Sequence, residues 1–270
     1  MLISSSGECM ASTYSDVVGV YCPIAMSEKI LNPITLVLLP GLDGTGNLFA
    51  NLKAELPQTL KVMTAAYPSP QFLSYSELVS WLSGIVPKDG PYVLLGESFG
   101  SALAVKFAAT HPRNLIGIML AVGFVSNPVR SWGPLPKLLS NPLLCQISPP
   151  DFFLEYFLYG RGAPESLKLA VRQARLSAGP ELLAKRSREC INCDAREELR
   201  QVNVALLYLQ ATEDRLVDKG CLDEIKRIHP ETIVNSFRAP HLLFQRKPCE
   251  AAKAITRFLD GLMGNVDSLR

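Results

Sequence analysis

Short apolar runs alternate with amphipathic stretches along most of this chain. Strand-like segments fall at 34–39, 61–66, 91–96, 115–122, 203–209 and 231–237. Helix-like segments fall near 46–56, 74–85, 98–111, 219–228 and 248–262. Such alternation predicts an α/β fold built on a mostly parallel sheet flanked by helices. No internal repeat or low-complexity tract interrupts it. One section does break the rhythm, from Asn127 to Gln201. It opens proline-rich (Pro128 to Pro150), turns aromatic in Phe152-Phe153-Leu154-Glu155-Tyr156-Phe157-Leu158-Tyr159, and reads as helical after Gly160, around Leu167 to Val171 and Glu181 to Ala184. Residues 1–30 read as an N-terminal extension. They carry no Lys or Arg before Lys29 and no compact apolar core, which argues against a secretory signal. Tyr14 to Ala25 alternates only weakly as a hairpin, and Met10 and Met26 leave later starts open.

The chemistry concentrates at Gly96-Glu97-Ser98-Phe99-Gly100, directly after the apolar run Tyr92 to Leu95 and directly before the small-residue helix from Ser101 to Ala109. Strand, G-x-S-x-G turn and helix in that order describe a nucleophile elbow. The glycines on either side let the backbone turn sharply where a Cβ would clash. A serine hydroxyl needs a base, and the chain has three histidines. His111 lies thirteen residues after Ser98, on what reads as the same helix, roughly 20 Å along its axis and out of reach. His111 and His229 both precede prolines, the mark of element boundaries. His241 follows the last strand-like segment and precedes the final helix, in the loop position where α/β folds place their chemistry.

A carboxylate should orient that histidine. The strand-like Val204 to Leu209 runs into Gln210-Ala211-Thr212-Glu213-Asp214, which points to Asp214. Glu213 next door and Asp218 nearby are alternatives that pattern alone does not eliminate. The chain order is then Ser98, Asp214, His241, as in hydrolase triads. For the oxyanion, one donor is the N–H of Phe99, and the other is expected from Leu42 in the loop Pro40-Gly41-Leu42-Asp43-Gly44-Thr45-Gly46. Glycine-rich turns also bind phosphate or merely turn, but here neither a G-K-[ST] ending nor a G-x-G-x-x-G spacing is present.

The elbow, the loop from Leu39 to Gly46 and the order of the three candidate residues together resemble the α/β-hydrolase superfamily, over about residues 34 to 262. The loop and elbow motifs are similar to those of small bacterial hydrolases, and to those of plant plastid enzymes of the esterase, lipase and thioesterase type. The resemblance implies the α/β-hydrolase fold, with a core at 31–126 and 202–270 and a mainly helical lid inserted at 127–201. It implies acyl chemistry through an acyl-serine on Ser98, on a small-molecule ester or thioester, free or bound to a carrier. Hydrolysis is expected. Transfer to an alcohol by the same triad is the alternative, and a non-catalytic binding protein on this scaffold is a further one. Many esterases of the superfamily have His-Gly where this chain has Pro40-Gly41, so the usual side-chain support of the oxyanion loop is missing.

Composition changes this picture little. At 270 residues and 48% hydrophobic, the chain can bury one α/β domain with an insertion. A net charge of +2 gives no field that points to nucleic acid. No segment approaches the ~20 apolar residues of a membrane span. Seven scattered cysteines suggest free thiols in a reducing, cytoplasmic setting. Cys190-Ile191-Asn192-Cys193 is formally C-x-x-C, but without a second pair or a neighbouring histidine it gives no reason to expect a metal, and no cofactor is expected. The aromatic run in the insertion predicts either an apolar acyl pocket or simple packing. Its arginines, Arg130, Arg161, Arg172, Arg175, Arg186 and Arg188, read as a solvated face or as a grip for an acidic carrier. Nothing in the sequence speaks to oligomeric state.

Overall fold

The computed structural model describes residues 34–133, 143, 147 and 149–267. The expectations for residues 1–30, and for much of the proline-rich run, lie outside the described residues. Six strands form one sheet, all parallel: β1 (Thr35–Leu39), β2 (Lys61–Thr64), β3 (Tyr92–Glu97), β4 (Leu115–Ala121), β5 (Ala205–Ala211) and β6 (Ile233–Phe237). Their spatial order is β2-β1-β3-β4-β5-β6. Central β1 and β3 are buried at every position, as a parallel sheet covered on both faces requires, whereas the edge strands β2 and β6 are partly open.

Helices cover both faces. They are α1 (Ala50–Glu55), α2 (Tyr75–Ile85), α3 (Phe99–Ala108), α4 (Asp151–Leu154), α5 (Glu165–Ala178), α6 (Pro180–Ile191), α7 (Arg196–Gln201), α8 (Gly220–Ile228), α9 (Leu243–Arg246) and α10 (Pro248–Asp267). The period of two along each strand divides the core. Val37, Leu39, Leu94, Leu120 and Tyr208 face α2, α3, α7 and α8. Leu36, Leu38, Leu95, Met119 and Leu209 face α1, α9 and α10. A capping box starts α2, where Glu77 Oε2 accepts from Ser74 N (2.7 Å) and Ser74 Oγ accepts from Glu77 N (3.4 Å).

The strands and helices lie within a few residues of the sequence reading, with informative differences. β2 ends at Thr64 because the chain leaves the sheet toward Tyr67, whose N–H bonds Gly44 O (2.8 Å). β5 extends to Ala211 because Gln210 and Ala211 still pair with Ser236 and Phe237 of β6. α3 ends at Ala108, so His111 lies past the helix, with φ 52. His229 caps α8. Both remain at boundaries. Between β4 and β5 lie α4, a π turn (Glu155–Tyr159), and the hairpin of α5 and α6 hinged on Gly179. α5 buries Leu167, Val171, Ala174 and Ala178, the i, i+4, i+7 spacing of an amphipathic helix. α7 closes the stretch and sends Leu199 into the core. Among the described residues no helix is long and apolar enough to cross a membrane.

The turn between β3 and α3 packs backbone against backbone. A Cβ on Gly96 would sit 2.2 Å from Gly100 O, and one on Gly100 would sit 2.3 Å from Leu39 O. Both obstacles are backbone. Gly100→Ala should therefore cost about 4 kcal/mol or more, or abolish soluble expression. Gly84, exposed near the end of α2 with nothing within 4 Å of its would-be Cβ, is the control. Gly84→Ala should stabilise by about 0.5–1 kcal/mol. Urea unfolding of both variants checks this, and equal stability of the two would contradict the backbone contact.

Candidate functional site

All sheet strands run the same way, so the loops that leave their carboxyl ends meet on one edge. β1 delivers the loop from Pro40 to Gly46, β3 delivers Ser98, β5 delivers Asp214 and β6 delivers His241. Ser98 sits between strand and helix at φ 51 and ψ −112, a conformation that strains any non-glycine residue. Its N–H is held by Ala121 O (2.9 Å), and its carbonyl accepts from Ser101 Oγ (2.6 Å).

His241 Nε2 lies 3.2 Å from Ser98 Oγ, and His241 Nδ1 lies 2.8 Å from Asp214 Oδ2. Imidazole and carboxylate are both buried. The second Asp214 oxygen accepts from Leu216 N (2.8 Å) and Val217 N (3.1 Å), which fixes the carboxylate plane. Glu213 turns outward to Arg238 (2.7 Å) instead, and Asp218 Oδ1 accepts from Gly220 N (2.8 Å). Of the three neighbouring carboxylates, the structure brings Asp214 to the histidine.

Burial works against a charged His241. The Asp214 charge, its hydrogen bond and the Glu97 carboxylate outweigh burial and hold the imidazole above its ordinary pKa. Glu97 was not singled out in the sequence. It is buried beside Ser98 with Oε1 unpartnered among the described residues, and so is Gln245 Oε1. Burial pushes the Glu97 carboxyl up to about 7, against the opposing pull of His241. Its position inside the elbow motif was the available signal; its burial was not.

Leu42 lies in the loop after β1, and Phe99 directly follows the serine at the start of α3. A Cβ on Gly41 would lie 3.9 Å from Ser98 Cβ, so this loop passes directly by the serine. Among the described residues, no acceptor takes the Leu42 N–H. Phe99 is the first residue of α3, and its N–H precedes the helix's own ladder. Side-chain support for the Pro40-Gly41 loop comes from elsewhere in the chain. Tyr67 Oη donates to Pro40 O (2.7 Å), and Arg186 Nη1 donates to Leu42 O (3.1 Å) and Asp43 O (2.7 Å). Arg186 is only 2% exposed, which corrects its reading as part of a solvated face. Arg130, Arg161, Arg172 and Arg188 are exposed, and Arg172 pairs with Asp151 (2.7 Å).

A cavity of about 890 Å³ opens between the aromatic stretch and the loop after β5. Phe152, Phe153, Tyr156 and Phe157 line one side, and Asp214 and Pro240 the other. Ser98 does not line it. Leu154 and Tyr159 of the same stretch instead pack against Leu167 and Val171, so the aromatic run both packs and lines space. Cys190 and Cys193 are free thiols, and burial raises both, Cys193 to about 12. Among the described residues, no group of His, Cys, Asp and Glu could hold a metal ion.

No protein-family model matches the chain, and no curated protein does either. Solved structures do match. An esterase from Exiguobacterium antarcticum superposes with a TM-score of 0.71 at 16% identity, covering 84% of this chain and 92% of that one. The enol-lactonase from Burkholderia xenovorans LB400 gives 0.71 at 16%, covering 85% and 92%. A lipase-esterase related protein from Clostridium acetobutylicum ATCC 824 gives 0.69 at 14%, covering 84% and 94%. At such identities the likeness is one of architecture. The six-stranded parallel sheet, its helical layers and these superpositions establish that the chain has the α/β-hydrolase fold.

Proposed function

We propose that this chain is a serine hydrolase of carboxylic esters or thioesters that works through an acyl-serine. The observation that carries this is the hydrogen-bonded line from Ser98 Oγ through His241 to Asp214, two contacts of 3.2 and 2.8 Å at the carboxyl edge of the sheet. Nucleophile, base and orienting carboxylate in that geometry are what acyl transfer to serine requires. An esterase and an enol-lactonase among the proteins sharing the fold support ester cleavage as the reaction class.

Ser98 Oγ attacks the acyl carbon while His241 Nε2 takes its proton. Asp214 holds Nδ1–H, which selects the tautomer and stabilises the imidazolium. The Leu42 and Phe99 amides receive the oxyanion, and each such donor is worth about 10²–10³ in rate. His241 then protonates the leaving alcohol or thiol, and a water activated by the same imidazole releases the acid. The helices between β4 and β5 act as the lid, and the aromatic-lined cavity takes the apolar part of the substrate.

Hydrolysis of p-nitrophenyl esters from acetate to dodecanoate tests the reaction. Turnover should fall by about 10⁴-fold or more in Ser98→Ala, and equal turnover in that variant would overturn the assignment. Turnover should also shift to an ester product if an alcohol is the true acceptor.

The base works only when neutral, so a raised His241 pKa moves the onset of activity to higher pH. The acid limb of kcat/KM should lie above the ordinary imidazole value of ~6.5. Asp214→Asn should carry it downward and cut kcat by about 10⁴-fold. Glu97→Gln should move it less, in the same direction. A limb that neither substitution displaces would contradict these couplings.

A further inference from the structure

Helix α6 of the insertion touches the Leu42 loop directly, and it reaches Phe99 at the start of α3 through Tyr75 of α2. Its residues Arg186, Glu189 and Cys190 follow the i, i+3, i+4 spacing of one helix face. Arg186 reaches the Leu42 loop. Its Nη1 holds Leu42 O and Asp43 O, and its guanidinium lies 5.3 Å from the Tyr67 ring centre. Tyr67 itself holds Pro40 O through its hydroxyl and Gly44 O through its N–H, while Gly41 O accepts from Gly44 N. Every carbonyl from Pro40 to Gly44 is thereby engaged. A loop with all five carbonyls fixed has little freedom to rotate the peptide between Gly41 and Leu42, which carries the candidate donor.

Space for the arginine is built in. Gly44 has φ +74, and a Cβ there would sit 2.3 Å from Arg186 Nη1. Among the described residues, no carboxylate pairs with Arg186 at ion-pair distance, and the nearby Asp43 carboxylate is taken by Thr45 N (2.8 Å) and Thr45 Oγ1 (2.5 Å). A guanidinium buried on two backbone carbonyls and an aromatic face, with no ion-paired carboxylate, is an expensive arrangement. It serves shape at the loop rather than charge balance.

The same helix face backs the second donor. Glu189 Oε2 accepts from Tyr75 N (3.0 Å), and Cys190 packs against the same core cluster as Tyr75. The Tyr75 ring stacks on Phe99 with centroids 4.6 Å apart, and its hydroxyl donates to Phe99 O (3.1 Å).

We propose that Arg186 is a positioning residue that sets the Leu42 amide from the insertion, so that α6 is part of the oxyanion machinery and not only a cover. It stands in for the side-chain support that a histidine before Gly41 gives other esterases of this fold. The inference rests on the acyl-serine reading above, with Leu42 as a donor.

The test is steady-state p-nitrophenyl ester kinetics on the full chain, with Arg186→Ala, the same variant in added guanidinium ion well below denaturing concentration, and Tyr67→Phe. Arg186→Ala should lose about 10²-fold in kcat, the worth of one oxyanion donor, with KM within about 3-fold. Guanidinium should restore kcat saturably in Arg186→Ala and leave the parent protein unaffected. Tyr67→Phe keeps the ring but frees Pro40 O, and should lose about 10-fold in kcat with KM unchanged. An unchanged kcat in Arg186→Ala overturns the proposal. So does a loss confined to KM, which would make Arg186 a substrate contact. A folded Arg186→Ala protein that guanidinium does not rescue also overturns it. Should Arg186→Ala not fold, Tyr67→Phe decides alone, and full kcat there overturns it. Failure of the acyl-serine reading shows separately, as a parent protein with no Ser98-dependent turnover.

Discussion

The backbone of the β3–α3 turn lies against the end of β1 at a separation that only glycine permits, and the site follows from that contact. A Cβ on Gly100 would sit just 2.3 Å from Leu39 O, so the first turn of α3 packs backbone to backbone on the end of β1. Gly41 passes alongside Ser98, which itself sits at a positive φ of 51. Strain of this kind costs on the order of 1–3 kcal/mol and persists because its surroundings over-determine it. Here the surroundings are two buried central strands and the buried helix α3. The electrostatics are built on the same edge. Asp214, with one oxygen held by two backbone amides, keeps the other for His241, and buried Glu97 adds a titrating carboxyl behind the imidazole.

The segment between β4 and β5 is joined to this core by polar contacts as much as by apolar ones. Ala195 N bonds Val125 O (2.6 Å), Lys106 reaches Glu198 (2.5 Å), and Leu242 N, next to His241, bonds Leu158 O (3.0 Å). Glu224 of α8 is buried, with Ser126 at 2.5 Å and Arg130 at 3.5 Å, which ties the start of the segment to the core. Together with Arg186 on the Leu42 loop, these contacts fasten the segment to the core at several separate points. On the proposed reading, substrate selection and oxyanion geometry would depend on one body of structure.

What the sequence revealed was what local pattern encodes. The central strands are continuous apolar runs, so β1, β3 and β4 were readable to within a residue or two, and Gly96 to Gly100 names its own turn. His241 emerged because only three histidines exist and two precede prolines. Asp214 needed the structure to separate it from Glu213, since the choice depends on how the loop turns after β5. Arg186 was hidden for a stronger reason. Its partners Leu42 and Asp43 lie 144 and 143 residues away, and nothing local distinguishes it from the exposed Arg188. Glu97 and Gln245 were missed likewise, because burial of a polar group is a property of the assembled fold.

The most direct test of the central claim is to trap the activated serine covalently. Brief exposure to a fluorophosphonate, followed by intact-mass and peptide mass spectrometry, should give one adduct per chain on the peptide containing Ser98. It should be absent from Ser98→Ala and formed much more slowly in His241→Ala. Ester turnover without a Ser98 adduct, or an adduct on another residue that survives in Ser98→Ala, would contradict the account.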